Sequence, residues 1–342
     1  MSKRAKIALV TVGLLVGAYL YLQERKPVPL TEFEISGPTM GTTYRIIVAG
    51  PEERHIGDLG SSIQQTLDGI ESRFSTWNEN SELSQLNQAP TEEWVSVSPD
   101  LCNVLGNATE AARLSEGAFD PTVGNLVALW GFTSNEDPVL LPNPSAVDAA
   151  LANTGYQYLH TDCVNRRVRK DRNLSLDLSG FVKGYAVDQV ARHLIKVNAH
   201  SFLVEVGGEV FAYRGNRQRN WRIGIAAPGL SDNDPVDVIP VNSQGVATSG
   251  NYMNFFEIDG ERYTHIIDPT TGYPVQHETA SVTVVAETAA EADAWATALL
   301  VLGSEKGLTA AQQRGIAAMF VDLREDDVVI RRSQVFDRIR MD

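Results

Sequence analysis

Cysteine is almost absent from this chain of 342 residues: it has Cys102 and Cys163, and neither sits in a C-x-x-C pair or another metal-binding spacing. That excludes a thiolate zinc site and a disulfide-stapled miniature fold. Two buried free thiols are expected, with a Cys102–Cys163 bridge as the alternative. Basic charge is scarce as well, 29 Lys and Arg against 43 Asp and Glu. Lys3, Arg4, Lys6, Arg25 and Lys26 all precede Pro27, with Glu24 alone against them, so residues 27–342 hold 24 basic residues against 42 acidic ones. Such a body lacks the basic footprint that nucleic acid requires, and an anionic membrane surface would repel it. There are no internal repeats, no low-complexity stretch, no interdomain linker, and no glycine-rich fingerprint of a dinucleotide fold or P-loop.

Long apolar runs are missing too, with one exception. Ile7 to Leu22 carries no charge and follows the basic start Lys3-Arg4-Ala5-Lys6. Residues 1–26 therefore read as an N-terminal signal or anchor segment. We expect it to be retained, with the basic end in the cytoplasm and residues 27–342 facing the periplasm from the inner membrane. Cleavage after Ala18 is the alternative, and no lipobox cysteine follows the run. Pro27 to Leu30 reads as a short tether.

What the body does contain is a mixed α+β pattern. Leu59, Ile63, Leu67, Ile70 and Phe74 recur at helical spacing. Leu101 to Ala112 and Val187 to Ile195 mark two more helices. Strands are expected at Thr43–Ala49, Asn173–Leu178, Phe202–Val206, Glu209–Tyr213, Trp221–Ile225, Ser281–Ala286, Ala317–Asp322 and Asp327–Arg331. The turn pairs Gly207-Gly208 and Asp259-Gly260 favour antiparallel hairpins.

Three segments carry chemistry. Asp293 and Thr297 lie one turn apart on an alanine-rich helix, so a carboxylate and a hydroxyl can meet one hard cation such as Mg²⁺. His265, in His265-Ile266-Ile267-Asp268-Pro269-Thr270-Thr271-Gly272, is the nearby group that titrates near neutrality, and the turn residues behind it would fix its direction. In Asp177-Leu178-Ser179-Gly180-Phe181-Val182-Lys183-Gly184, Lys183 falls in the first turn of a helix, where the macrodipole disfavours a cation by up to about 1 kcal/mol. A bound anion would explain it. Taken singly, each of these has a blander reading: Asp293 and Thr297 a helix-surface pair, Lys183 a solvated lysine, Trp77 and Phe119 core aromatics, Asp120 before Pro121 a turn former.

Their joint occurrence reverses that. Met40-Gly41-Thr42, Phe74-Ser75-Thr76-Trp77, Gly117-Ala118-Phe119-Asp120-Pro121-Thr122, the Asp177 to Gly184 block, Val206-Gly207-Gly208-Glu209, Thr248-Ser249-Gly250-Asn251-Tyr252, the His265 block and Glu291-Ala292-Asp293-Ala294-Trp295-Ala296-Thr297 follow one another in an order that resembles the ApbE family of FAD:protein FMN transferases. The resemblance spans nearly the whole body. It implies a single two-lobed α+β domain, related to the T-fold, with mostly antiparallel sheets and packed helices. It implies FAD held by Met40, Trp77, Ala118, Phe119, Asp120, Asp177, Lys183 and Ile267, and Mg²⁺ held by Asp293, Thr297 and, since glycine has no side chain, the backbone carbonyl of Gly180. Tyrosine is frequent in the family at the Trp77 position, and an acid can stand at the Lys183 position.

The activity so implied is transfer of FMN from FAD to a Thr or Ser of an acceptor protein, with AMP released and His265 as the base. The acceptor would be a subunit of a redox-driven ion pump, such as sodium-translocating NADH:quinone reductase or an Rnf-type complex. Two alternatives stay open: a metal-dependent FAD pyrophosphatase, in which water replaces the acceptor hydroxyl, and a tethered flavin-binding protein without turnover.

Overall fold

The computed structural model of the protein describes residues 31–50, 56–133, 140–215, 220–226, 235–252, 254–324 and 327–341. The segment read as an anchor, and its tether, lie outside them, and no described helix is long and apolar enough to cross a membrane.

An eight-stranded sheet organises these residues. Its strands lie in the spatial order Thr31–Thr39, Thr42–Gly50, Ser201–Val206, Glu209–Tyr213, Gln244–Gly250, Thr279–Ala286, Ala317–Arg324 and Asp327–Arg332, each antiparallel to its neighbours. Turn chemistry sets this register. Gly207-Gly208 has φ of 56° and 98°, and Asp259-Gly260, which closes a separate two-stranded hairpin, has 55° and 82°. Both residues of a two-residue hairpin turn must take positive φ if the twist of the strands is to be kept. Met40-Gly41, with φ of 45° and 70°, closes the first hairpin in the same way although Met40 carries a Cβ.

The helices Ile56–Phe74, Pro99–Leu114, Ser179–Lys196 and Ala289–Arg314 contribute to the main core, in which Ile63, Leu67, Leu101, Leu105, Val187 and Leu194 meet Ile46, Phe202, Val204 and Val282 of the sheet. A second cluster joins Val210, Ala212, Val246, Met319 and Val321 to the hairpin Trp221–Ile225/Asp237–Val241 and to Phe336 of the helix Gln334–Met341. A third, smaller cluster gathers Leu126, Trp130, Val147, Phe256 and Ile267 beneath the hairpin Phe255–Ile258/Glu261–Thr264.

Two helices bring the chemistry together by a close backbone approach at Gly184 and Ala289. A Cβ added to Gly184 would lie 2.2 Å from the Ala289 carbonyl oxygen, and one added to Gly245 would lie 2.2 Å from the Ala289 amide nitrogen. Small residues are therefore required where Ser179–Lys196, Ala289–Arg314 and the strand Gln244–Gly250 meet. Thr288 caps the second helix by accepting from the Glu291 amide at 3.1 Å. Asp188 of the first helix accepts from the Ala289 and Ala290 amides at 2.8 and 3.0 Å and so ties the two together.

Two expectations are corrected. Cys102 and Cys163 form a disulfide with Cα atoms 5.5 Å apart. Leu101 and Leu105 pack in the same core as Leu159 and Val168, which places the first turn of Pro99–Leu114 against the end of the strand Leu159–Asp162. A separation of 61 residues hid that proximity in the sequence. The run Asn173 to Leu178 alternates in burial as a strand would but joins no ladder, its one bridge running from Ser175 to Val123. Asn87 takes the place of a neighbouring strand: its side chain accepts from the Leu176 amide at 2.7 Å and donates to the Leu176 carbonyl at 3.0 Å.

Candidate active site

Two adjoining cavities, of about 310 and about 560 Å³, hold every residue that the sequence singled out. The smaller is lined by Ala118, Phe119, Asp120, Gly180, His265, Ile267, Asp293 and Thr297. The larger is lined by Met40 and Trp77, and Asp177, Ser179 and Lys183 line both. A groove of about 940 Å³ runs along the opposite face of the Ser179–Lys196 helix, past Phe181, Tyr185 and Asp188, and contains none of them. Chemistry, and not volume, marks the site.

The larger cavity is also lined by the apolar side chains of Phe74, Leu178 and Val182. Trp77 is 63 % exposed at its rim, which removes its reading as a core aromatic. Met40 is held by the bond from its amide to Glu71 Oε2, 3.1 Å. On the smaller cavity's wall, Phe119 is buried in the main core, and Asp120 is buried with both carboxylate oxygens bound. Its Oδ1 accepts from the Thr122 amide and hydroxyl at 2.8 and 2.6 Å, and Oδ2 accepts from the Tyr156 amide at 2.8 Å. Burial raises the Asp120 pKa, and these bonds oppose the rise. Its carboxylate thus ties the loop at Thr122 to Tyr156.

His265 follows directly on the hairpin that ends at Thr264. Its Nδ1 lies 2.9 Å from the Asn254 carbonyl, an acceptor, so Nδ1 carries the proton and Nε2 is left as the basic nitrogen. Burial lowers its pKa; the Asn254 bond and Asp177 oppose this, while Lys183 adds to it. The turn behind the histidine is rigid. Asp268 accepts from the Thr270 amide at 2.8 Å, its carbonyl accepts from the Gly272 amide at 2.8 Å, and Trp130 Nε1 donates to the Gly272 carbonyl at 2.8 Å.

Asp293 is 2 % exposed and its Oδ2 accepts from the Gly184 amide at 3.1 Å. The Gly184 amide is the donor that an unbroken helix would aim at the Gly180 carbonyl, and Gly180 itself departs from helical geometry with φ −85° and ψ 22°. A Cβ on Gly180 would lie 2.8 Å from Thr297 Oγ1. Glycine at 180 is therefore what lets this turn approach Thr297, and Gly180, Asp293 and Thr297 line one cavity. Thr297 Oγ1 is 3.1 Å from Ser249 Oγ, a partner for the threonine proton when its lone pair is engaged elsewhere.

Lys183 is ion-paired with Glu209 of the Val206-Gly207-Gly208-Glu209 motif. Burial alone would lower the Lys183 pKa, but the charges of Asp293 and Glu209 outweigh it and raise the net value. Burial and the Asp293 charge push Glu209 upward against the pull of Lys183. Two buried carboxylates thus face one ammonium, and Glu209 Oε2 is buried without a partner. Burial raises the Asp293 pKa as it does that of Glu209, and with both acids ionised the cluster carries one net negative charge, which favours a bound cation. Among the described residues no group of three or more His, Cys, Asp or Glu is arranged to hold a metal. A site with one carboxylate, one hydroxyl and one carbonyl instead suits Mg²⁺, which keeps waters and shares its coordination with substrate phosphates.

Glu209, Ser249 and Asn254 were missed as participants because each acts through a partner distant in sequence. The one local sign was an acid opening a strand otherwise built of Val, Phe, Ala and Tyr.

Comparison with known proteins gives a consistent result. The sequence model described as the ApbE family matches residues 40–320. The FAD:protein FMN transferase of Klebsiella pneumoniae is 38 % identical over 292 residues, 84 % of this chain and 83 % of that protein. That of Escherichia coli K12 is 35 % identical over 333 residues, 94 % of each. The crystal structure of Pseudomonas stutzeri flavinyl transferase ApbE in its apo form superposes with a TM-score of 0.82 at 34 % identity, covering 92 % of this chain and 98 % of that one.

Proposed function

The chain belongs to the ApbE family, and on that premise we propose that it transfers FMN from FAD to a Thr or Ser hydroxyl of an acceptor protein and releases AMP. The observation that carries this reading is the meeting, in one cavity, of a neutral imidazole, an ammonium and the Asp293–Thr297–Gly180 oxygen set. The acceptor hydroxyl attacks the FMN-side phosphorus, a new P–O ester bond forms, and the bond to the bridging oxygen breaks so that AMP carries that oxygen away. His265 Nε2 takes the hydroxyl proton, while the Nδ1 bond to Asn254 keeps the ring aimed and stabilises it once charged. Lys183 lines both cavities, and its ammonium would meet phosphates bound at their junction, where its charge counts most as charge builds on the phosphoryl oxygens. The larger cleft, with Met40 and Trp77, offers the apolar walls that a flat ring system needs.

Mg²⁺ would be held by Asp293, Thr297 and the Gly180 carbonyl and would supply charge stabilisation to the pyrophosphate. We expect Asp293→Ala to cripple turnover and Thr297→Ala to weaken it less, because a neutral oxygen is lost in place of a charged one. Near-normal activity of Asp293→Ala at low Mg²⁺ would remove the metal assignment.

The anchored, periplasmic placement rests on the basic start and the apolar run Ile7 to Leu22, and it suits the Cys102–Cys163 bridge, since disulfides persist in oxidising compartments. On this reading the full chain fractionates with membrane and begins near Met1, and an N-terminus at Tyr19 would show cleavage instead. The acceptor is proposed to be a flavinylated subunit of a redox-driven ion pump. One experiment tests the activity: the body is incubated with FAD, Mg²⁺ and such a subunit, and the subunit's mass is read. Added FMN mass with AMP supports transfer. Free FMN and AMP without added mass would mean hydrolysis, and unchanged FAD would mean binding alone.

A further inference from the structure

We propose that Glu209 is the positioning residue for Lys183: its carboxylate holds the ammonium toward the junction of the two cavities and away from Asp293, so that the lysine meets phosphate while the aspartate stays open to the metal. This rests on the FAD-and-metal reading of the site.

Geometry supports the proposal on three sides. Glu209 begins its strand immediately after Gly207-Gly208, and its 2 % side-chain exposure leaves it no solvent partner in place of Lys183, to which Oε1 is bound. The lysine stem passes over Gly207, where an added Cβ would come 3.2 Å from Lys183 Cδ and 2.9 Å from Thr42 Cγ2, so glycine leaves room for it. Asp293 is the competing attractor: it is buried, it lines the smaller cavity with Lys183, and its charge acts on the ammonium. The ammonium nevertheless bonds to Glu209, and its pairing there is the ion pair found for Lys183 among the described residues. An ammonium seated on Asp293 would occupy the very carboxylate that a cation needs, and the two positive charges would repel. Removing the Glu209 charge frees the lysine to take that seat.

The consequence is a coupling that neither a purely structural role nor a simple field effect would give. In the full-length protein, Glu209→Gln, Lys183→Met and the double variant are compared in two binding assays. Mn²⁺ binding is read from the EPR signal of free Mn²⁺ without FAD, and FAD binding is read from flavin fluorescence in EDTA. With Lys183 present, Glu209→Gln is expected to weaken Mn²⁺ binding on the order of tenfold, about the worth of one charge-assisted hydrogen bond. In the Lys183→Met background the same change is expected to cost less than about threefold, because no ammonium remains to move. FAD binding should follow the same pattern. Equal losses in both backgrounds would overturn the proposal, since a field effect or a general loosening of the fold adds regardless of residue 183. Should Glu209→Gln fail to fold, Glu209→Asp keeps the charge one carbon short, and its Mn²⁺ loss should again depend on Lys183. A wild-type protein that binds neither Mn²⁺ nor FAD would sink the underlying reading, whereas normal wild-type binding with additive losses would sink this inference alone.

Discussion

Gly184→Ala sets local helix preference against tertiary packing, and the two give opposite signs. Inside a helix, alanine is favoured over glycine by about 0.5–1 kcal/mol. At Gly184 the new Cβ would stand 2.2 Å from the Ala289 carbonyl oxygen and 2.7 Å from Ala290 Cα, both backbone atoms that no rotamer change can move aside. Reaching ordinary contact requires the helices to part by about 1 Å, and overpacking of this kind costs about 1–3 kcal/mol. The same parting strains the 3.1 Å bond between the Gly184 amide and Asp293 and shifts the aspartate relative to Lys183. Misplacement by about 1 Å at a reacting centre can cost on the order of 10²-fold in rate. Gly184→Ala is therefore expected to melt several degrees lower, to bind Mn²⁺ less tightly and to transfer FMN far more slowly. Gly69→Ala is the control. It lies in the helix Ile56–Phe74 with nothing within 4 Å of the added Cβ, so it should gain about 0.5–1 kcal/mol and leave activity unchanged. A Gly184→Ala protein that melts at or above the wild type with unaltered Mn²⁺ binding would refute the claim that close helix crossing builds the site.

His265→Ala should lower the transfer rate by about 10²-fold to 10⁴-fold, the usual worth of a positioned general base, with little change in FAD affinity. Because burial lowers the His265 pKa, the imidazole is already neutral at pH 7; the wild-type rate should rise with pH at values below 6.5 and then level off, and the mutant should lack that limb. Rates measured from pH 5 to 8 decide this, and a wild-type rate in the mutant would leave the base unidentified. Replacing both Cys102 and Cys163 by serine should destabilise the body by about 2–4 kcal/mol, read as a lower urea midpoint. An unchanged midpoint would show that the bridge adds nothing to stability.

The helices around Leu67, Leu105 and Leu194, most of the strands and the hairpin turns were legible because their signals are local. Apolar spacing and paired turn residues at positive φ act within a few residues of one another. The site residues were legible for a different reason: their order resembles a family, and the structure gathers them around two adjoining cavities. By itself the sequence thus determined the elements, the acidic body and the residue types that chemistry requires. Which groups face each other was decided by the tertiary structure. It pairs Lys183 with Glu209 26 positions away, sets the Gly184 amide on Asp293 109 positions away, and joins Cys102 to Cys163. It also supports the extended run before Asp177 with the Asn87 side chain in place of a strand. The physical reason is that burial and Coulomb attraction depend on distance in space, and only the packing of helices, strands and loops against one another converts those separations along the chain into contacts of about 3 Å.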